Sequence, residues 1–532
     1  SGVPEGAADG EQLAASSLPG GALDGGNADA ASRSGTFRDD YQRLVNGLGT
    51  DVAALERSLV ALVQRHEALR TTFALENGQP VQRIAPEPEL ALPVESLEAL
   101  PEAERASEAL RRVEEEARRP FDLEKGPLFR AGLLRLGAED HVLVLSLHHI
   151  VCDGWSLGLM ERELTELYRA YCRGETPDLP ALPVQYVDYA VWQREWLKGE
   201  VLEEQLAWWK RRLAGAPPVL ELPTDRPRPP VQSSRGAVLR VELPPALSGA
   251  VREVSRKEGV TPFMTLLAGF QALLARYSGQ REVVVGTPIS GRNRREVEGL
   301  MGFFANTLAL RVEAPGEVSF RELLKRVREA CLGAYARQDV PFERLVDAVQ
   351  PGRDLSRTPL FQASFVLQGA APFAALELPG VAVEELVFEP GVAKFDLTLF
   401  VRETEKGWVG LWEYNSELFD EATVARMAAH YARLLEGALA HPELTLAELP
   451  LLSEAERRQV LVEWNGRRAG YPPDTCAHHL IEATAARTPD AVAVAFGDSQ
   501  LTYRELNQRA NQLAHHLRSL GVGPEAPVGV CL

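Results

Sequence analysis

No run in these 532 residues approaches the about 18 uninterrupted apolar side chains that a membrane-spanning helix needs, and no basic head followed by an apolar centre opens the chain. A soluble, cytoplasmic protein with no membrane partner is therefore expected. Cysteine is scarce: Cys152, Cys172, Cys331, Cys476 and Cys531 are odd in number, scattered and never spaced CxxC. That pattern fits neither a disulfide scaffold nor a zinc site, so a reducing compartment and no metal are expected. Positive charge is in deficit, with 57 Lys and Arg against 75 Asp and Glu, a net charge of −18 and no basic run, which argues against a nucleic-acid partner. Residues 1–35 have no aromatic side chain and only four larger aliphatics, Val3, Leu13, Leu18 and Leu23, among eight Gly and eight Ala. Such a segment buries too little to offset the entropy of ordering it, so 1–35 is expected to be flexible or loosely attached.

What is present is ordinary for a globular protein, with 45% hydrophobic and 25% charged residues and length enough for about three domains or two large ones. The chain is organised around residues 143–156, LVLSLHHIVCDGWS. An apolar run at 142–147 reads as a buried strand emptying into a turn at Asp153-Gly154. Strand alternation would put His148 on the face of Val144 and Ser146, and His149 on the face of Leu143, Leu145 and Leu147. Two other pairs, His478-His479 and His515-His516, lie on helix-like stretches with Ala483 and Leu520 where an Asp would have to stand.

Around this stretch the elements follow in order. Residues 51–69 carry Val52, Leu55, Leu59, Leu62, Val63 and Leu69 at helical spacing with Thr50 or Asp51 as N-cap. A Glu-rich helix at 101–119, a strand at 128–136 and a helix marked by Leu157, Met160, Leu164, Leu167, Tyr168 and Tyr171 complete a mixed α/β lobe. Prolines at 222–230 hold the chain extended. A second lobe follows with an apolar helix at 261–277, a strand at 282–285, and a loop at 286–292 ending in Arg292.

The segment 148–156, HHIVCDGWS, matches HHxxxDG, and the chain resembles the condensation domains of nonribosomal peptide synthetases. Residues 65–73, RHEALRTTF, resemble a second motif of that family; 186–192, YVDYAVW, a fourth; 301–311, MGFFANTLALR, resembles IGxFVNTxxxR; 337–343, RQDVPFE, resembles HQDVPFE with Arg337 for His; and 353–362, RDLSRTPLFQ, matches RDxSRxPLFQ. The family's opening motif, similar to SxAQxRLWFL, has no counterpart before Asp51; a native linker, an engineered leader and a different reading frame all fit that. Residues 478–532 resemble the start of an adenylation domain, without the Gly/Ser/Thr-rich loop that holds ATP. The resemblance implies an α/β fold of two chloramphenicol acetyltransferase-like lobes, mixed sheets with flanking helices, in a V-shaped pseudo-dimer. The expected divisions are 1–35 atypical segment, 36–221 N-lobe, 222–235 Pro-rich linker, 236–453 C-lobe, 454–477 linker and 478–532 adenylation fragment, too short to bury its own faces well.

The family's chemistry is amide formation, the amine of a downstream carrier-bound aminoacyl thioester attacking an upstream carrier-bound thioester at the junction of the lobes. By that resemblance His149 is the catalytic residue. His148, Asp153, Gly154, Trp155, Arg292 and Arg70 support the site, with Asp153 paired to Arg292 across the lobes and Gly154 permitting the turn. Ser156 and Asn306 are substrate-proximal candidates. His66 and Glu67 are expected at a solvated helix end, and the aromatics of 186–192 in packing. No cofactor is expected on the chain itself; 4'-phosphopantetheine arrives on donor and acceptor peptidyl carrier domains, which with the rest of the adenylation domain are the expected partners of a monomeric chain. The absence of GxSxG fits a reaction without an acyl-enzyme. The motif forms favour an L-configured donor. The alternatives are an epimerisation or dual-function variant, a non-catalytic docking platform for carrier domains, and a tailoring enzyme. Heterocyclisation domains, which replace these histidines with aspartates, do not fit, nor do plant-type acyltransferases, whose DFGWG is represented only by Phe395-Asp396-Leu397.

Overall fold

The computed structural model describes residues 51–349, 354–368, 376, 378–385, 391–404, 407–465, 475–523 and 526–530, with the strand backbones 13–14 and 41–46. Arg353 and most of 1–35 lie outside the described residues. Among the described residues no helix is long and apolar enough to cross a membrane. The chain divides into two compact units, 1–452 and 453–532.

The first half of the larger unit supplies strands β1 (Leu13–Ala14), β2 (Tyr41–Asn46), β3 (Thr71–Glu76), β4 (Gln79–Ile84), β5 (Val94–Ser96), β6 (Phe129–Arg135) and β7 (Asp140–Leu147). The second supplies β8 (Gly236–Glu242), β9 (Glu282–Ile289), β10 (Asn306–Glu313), β11 (Ala363–Gln368), β12 (Ala382–Glu385), β13 (Leu397–Thr404) and β14 (Gly407–Asn415). The first lobe is a five-stranded sheet in the order β12-β2-β7-β6-β5 with a small sheet β1-β4-β3. The second is a six-stranded sheet in the order β10-β9-β11-β13-β14-β8, parallel at β9-β11 and β11-β13 and antiparallel elsewhere.

From Val142 to Leu147 β7 is apolar at every position but Ser146 because both its faces are covered. Leu143, Leu145 and Leu147 pack into a core with Leu55, Leu59 and Leu62 of the helix Val52–Arg65 and Leu157, Met160 and Leu164 of the helix Gly154–Cys172, while Val142 and Val144 pack with Ala109 and Val113 of the helix Glu102–Arg118. The first of these helices starts where the sequence indicates: the Asp51 carboxylate accepts the Ala54 N–H at 2.9 Å. The second core is larger and gathers Phe270, Phe365, Trp412 and Tyr431 between the sheet and the helices Pro262–Ser278 and Glu421–Ala440.

Three features depart from the sequence reading and one adds to it. A strand does precede Asp51: the β2 backbone pairs with β7 from Tyr41 opposite Leu145 to Asn46 opposite Asp140, although no recognisable motif marks it. The handover between cores comes before the prolines, because the helix Gly199–Leu213 buries Trp209 and Leu213 in the second core rather than the first. The chain also returns, with Leu376 and Leu378 buried in the first core and β12 pairing antiparallel with β2, so each lobe holds residues from the other's stretch of sequence. Finally, 286–289 is not loop but the end of β9, paired with β10 as far as Ile289 opposite Asn306. Gly286 reflects packing there, since a Cβ would lie 2.0 Å from the Phe361 ring.

The smaller unit holds the helix Ala477–Arg487, an antiparallel hairpin of β15 (Val492–Phe496) and β16 (Ser499–Thr502), and the helix Tyr503–Ser519, opened by a capping box of Thr502 and Glu505. Ala485 is the one buried hydrophobic residue among those described in it, and Phe496 is 87% exposed. Both extra histidine pairs lie on its helices. At the start of the first helix the ligand atoms of Cys476, His478 and His479 lie within 4.8 Å of one another, all exposed, a grouping that the scatter of the cysteines hides.

Gly286→Ala should cost the second lobe about 1–3 kcal/mol through overpacking against Phe361. Urea unfolding would measure it, and an unchanged midpoint would mean that the Phe361 ring can swing aside.

Candidate active site

β7 carries the chain to Leu147 and His148 is still extended, but a turn begins at His149, so the expected strand alternation does not reach the second histidine. His148 caps a short 3₁₀ turn, His149–Val151, and the turn separates the two rings. The His148 N–H donates to the Leu128 carbonyl at 2.9 Å, its Nδ1 accepts the Ile150 N–H at 3.1 Å, and its ring meets Phe121 edge-on with centroids 5.7 Å apart. Burial, and secondarily the neighbouring His149, push the His148 pKa down to about 4. His149 turns to the second lobe. Its ring stands edge-on to Phe303 with centroids 4.9 Å apart, and Nδ1 lies 2.5 Å from the Cys152 carbonyl oxygen. A carbonyl only accepts, so Nδ1 carries the proton and, in the neutral ring, Nε2 holds the lone pair.

Asp153 is the N-cap of the helix Gly154–Cys172, and its side chain is 1% exposed. Oδ1 accepts the Ser156 N–H at 2.9 Å and Arg292 Nη2 at 2.8 Å; Oδ2 accepts the Phe304 N–H at 3.0 Å. The Arg292 side chain is also 1% exposed, lies over the Phe304 ring at 4.0 Å and donates from Nη1 to Val297 O at 3.2 Å. Burial draws the Arg292 pKa below its usual value, with Asp153 opposing the shift. Ser156 is fully buried: Oγ accepts from Arg292 Nη2 at 2.8 Å and from the Gly302 N–H at 3.1 Å, and its one proton has Asp153 Oδ1 at 2.7 Å and Gly302 O at 2.9 Å within reach.

These bonds fasten residues 301–304 of the second lobe across the first. Tyr186 OH donates to Phe303 O at 2.9 Å, and the Tyr186 ring lies so close to Gly302, whose φ is +155°, that a Cβ there would be 2.3 Å from it. The Met301 N–H reaches His66 Nδ1 at 3.4 Å. His66 is therefore not at a solvated helix end; it is 1% exposed, with Nε2 2.7 Å from Glu163 Oε2, because the helix Val52–Arg65 ends against both the helix Gly154–Cys172 and the second lobe. Only the half-buried Glu67 keeps partial contact with solvent.

Ser156 and Asn306 spend their polar atoms on partners within the protein. Ser156 belongs to the Asp153 cluster, and Asn306 commits its amide to the carbonyls of Gln338 and Val340 at 2.8 and 2.7 Å and its oxygen to the Phe342 N–H at 3.0 Å. Arg70 is not brought to the cluster: it donates to the Ala85 carbonyl and pairs with Glu67 at 3.3 Å, bracing the approach to β3. Gly154 is the first residue of the helix, without positive φ and with nothing within 4 Å of a Cβ, so the turn does not depend on glycine there. Trp155, 41% exposed, donates from Nε1 to Glu298 O at 2.9 Å, another bond to the second lobe. Sequence reasoning missed Glu163, Tyr186 and Phe303 as parts of the site; the RHExLRT and YxDYAxW motifs flagged the neighbourhoods of His66 and Tyr186 but not the partner they share.

A condensation-domain family model matches residues 46–461, and a model described as AMP-binding enzyme matches residues 481–532. One of the linear gramicidin synthase proteins of Brevibacillus parabrevis is 50% identical over 484 residues, 91% of this chain but 6% of that protein. Phosphinothricin tripeptide synthetase PhsC of Streptomyces viridochromogenes is 47% identical over 482 residues, 90% of this chain and 44% of that protein. The chain thus spans less than half the length of these curated relatives. Among solved structures, the X-domain from teicoplanin biosynthesis superposes with a TM-score of 0.70 at 28% identity, over 78% of this chain and 93% of that one. Holo-AB3403, a four domain nonribosomal peptide synthetase, superposes with a TM-score of 0.73 at 24% identity over 91% of this chain and 37% of that one, a likeness of fold.

Asp153→Asn should destabilise the larger unit by about 3–5 kcal/mol, because it leaves the Arg292 cation buried without its anion. Denaturant unfolding checks this, and lost activity at unchanged stability would make Asp153 a direct participant. His148 gives a pH signature: below about pH 6.5 the unfolded chain takes up a proton that the folded chain refuses until about pH 4. Stability should therefore fall by about 2 kcal/mol between pH 7 and pH 5 on this account, and His148→Gln, measured by urea unfolding at both pH values, should remove that part of the loss.

Proposed function

The chain belongs to the condensation-domain family, and from that premise we propose that it forms a peptide bond between two carrier-bound thioesters, with His149 as the residue at the reacting atoms. The observation that carries the reading is the fixed tautomer of His149: with Nδ1 committed to the Cys152 carbonyl, the neutral ring presents its lone pair at Nε2. The amine of the acceptor aminoacyl thioester attacks the donor thioester carbonyl, so a C–N bond forms as the C–S bond breaks. The nitrogen's surplus proton passes to Nε2, and the departing thiolate is protonated in turn, leaving an amide, a free thiol and a neutral histidine. Both substrates arrive on 4'-phosphopantetheine arms of separate carrier domains, and holding the two ends together removes much of the entropic barrier. The donor is L-configured, a reading supported by the forms of the motifs at 65–73, 153–156 and 353–362. His148 takes no part in proton transfer, being held neutral by burial on the Phe121 side of the turn.

With donor and acceptor loaded on separate carriers, His149→Ala should slow single-turnover formation of the dipeptidyl thioester by about 10²-fold or more if proton transfer governs the step, and nearer about 10-fold if His149 only orients the amine. Carrier affinity should not change. A wild-type chain that binds both carriers and makes no dipeptide would instead establish a docking platform.

A further inference from the structure

We propose that His66 is a positioning residue for the reaction at His149, acting through residues 301–304; the catalytic half of this rests on the reading of His149 above. A backbone N–H can only donate, so the Met301 bond requires a lone pair on His66 Nδ1 and puts the proton on Nε2, where the Glu163 carboxylate receives it. The charged groups facing the imidazole are Glu163 from the helix Gly154–Cys172 and, on its own side, Arg65, whose Nε bonds the same carboxylate at 3.1 Å; Glu67 is drawn off by Arg70. Met301 and Gly302 bring no charge.

Met301 is where the segment enters the junction. The next three residues are held by Ser156, Tyr186 and Asp153, and Phe303 lays its ring against His149. Loss of the Met301 bond loosens the segment at its first anchor, so the Phe303 ring, which confines the His149 ring from the second lobe, loses its registration.

The test uses the full chain with loaded carriers and follows the single-turnover rate. Glutamine keeps an acceptor for Met301 and a donor for Glu163. His66→Gln should keep a rate within about 3-fold of wild type, whereas His66→Ala should lose about 10-fold. Hydrogen exchange at the amides of 301–304 provides a readout independent of activity. Relative to the helix Pro262–Ser278, their protection should stay high in His66→Gln and be low in His66→Ala. Equal protection in all three proteins overturns the inference whether or not His149 is catalytic. If wild type makes no dipeptide, the functional reading fails and the exchange arm still decides the role of His66; if His66→Ala does not fold, His66→Gln decides alone.

Discussion

The junction of the lobes depends on one carboxylate. Asp153 caps the helix that follows the histidine turn, neutralises a cation from the other lobe and accepts the Phe304 amide, all from within a site closed to water. Taking Asp153 and Arg292 out of solvent costs several kcal/mol each, and the attraction between them offsets that cost only with the help of Ser156, Val297 O and the Phe304 ring; Arg292 Nε stays buried without a hydrogen-bond partner. An apolar pair could hold two surfaces together as strongly. It could not dictate that this helix end meets that arginine, and the register of the lobes at His149 follows from the fit.

The same local geometry explains why two adjacent histidines differ. A 3₁₀ turn of three residues gives His148 an apolar pocket and an amide to accept, and gives His149 a carbonyl that sets its tautomer and a ring from the opposite lobe. The backbone of 301–304 is read by side chains of the first lobe at Met301, Gly302, Phe303 and Phe304 in succession, so His149 is positioned by both lobes at once. Catalysis by positioning needs tolerances of this kind, since a small displacement of a reacting group slows the step steeply.

Much of this was legible in the residues. The apolar run of β7, the helical stripe from Leu55 to Val63 under an Asp51 cap, and the HHxxxDG, RHExLRT and RDxSRxPLFQ segments are local patterns whose meaning does not depend on distant partners. The misplacements share a cause. Strand alternation was carried one step too far into His149, since His148 is still extended and bonded to Leu128 but the 3₁₀ turn begins at the next residue. His66 looks like a polar helix end until Glu163, 97 residues later, and Met301, 235 residues later, close over it. Asn306 and Ser156 look like site residues because they lie within family motifs, yet each commits its polar atoms to partners within the protein.

By itself, then, the sequence determined the family, the helix caps, the central strand and the residue types from which the site is made, because periodicity, capping and motif spacing act over a few residues. The tertiary structure alone decided which lobe each segment serves, as with Trp209, Leu376 and β12, and which polar atoms remain for chemistry. A hydrogen-bonding side chain reads the same in sequence whether its partners are water, substrate or backbone. Only long-range packing, which removes water and supplies the partner, makes that choice.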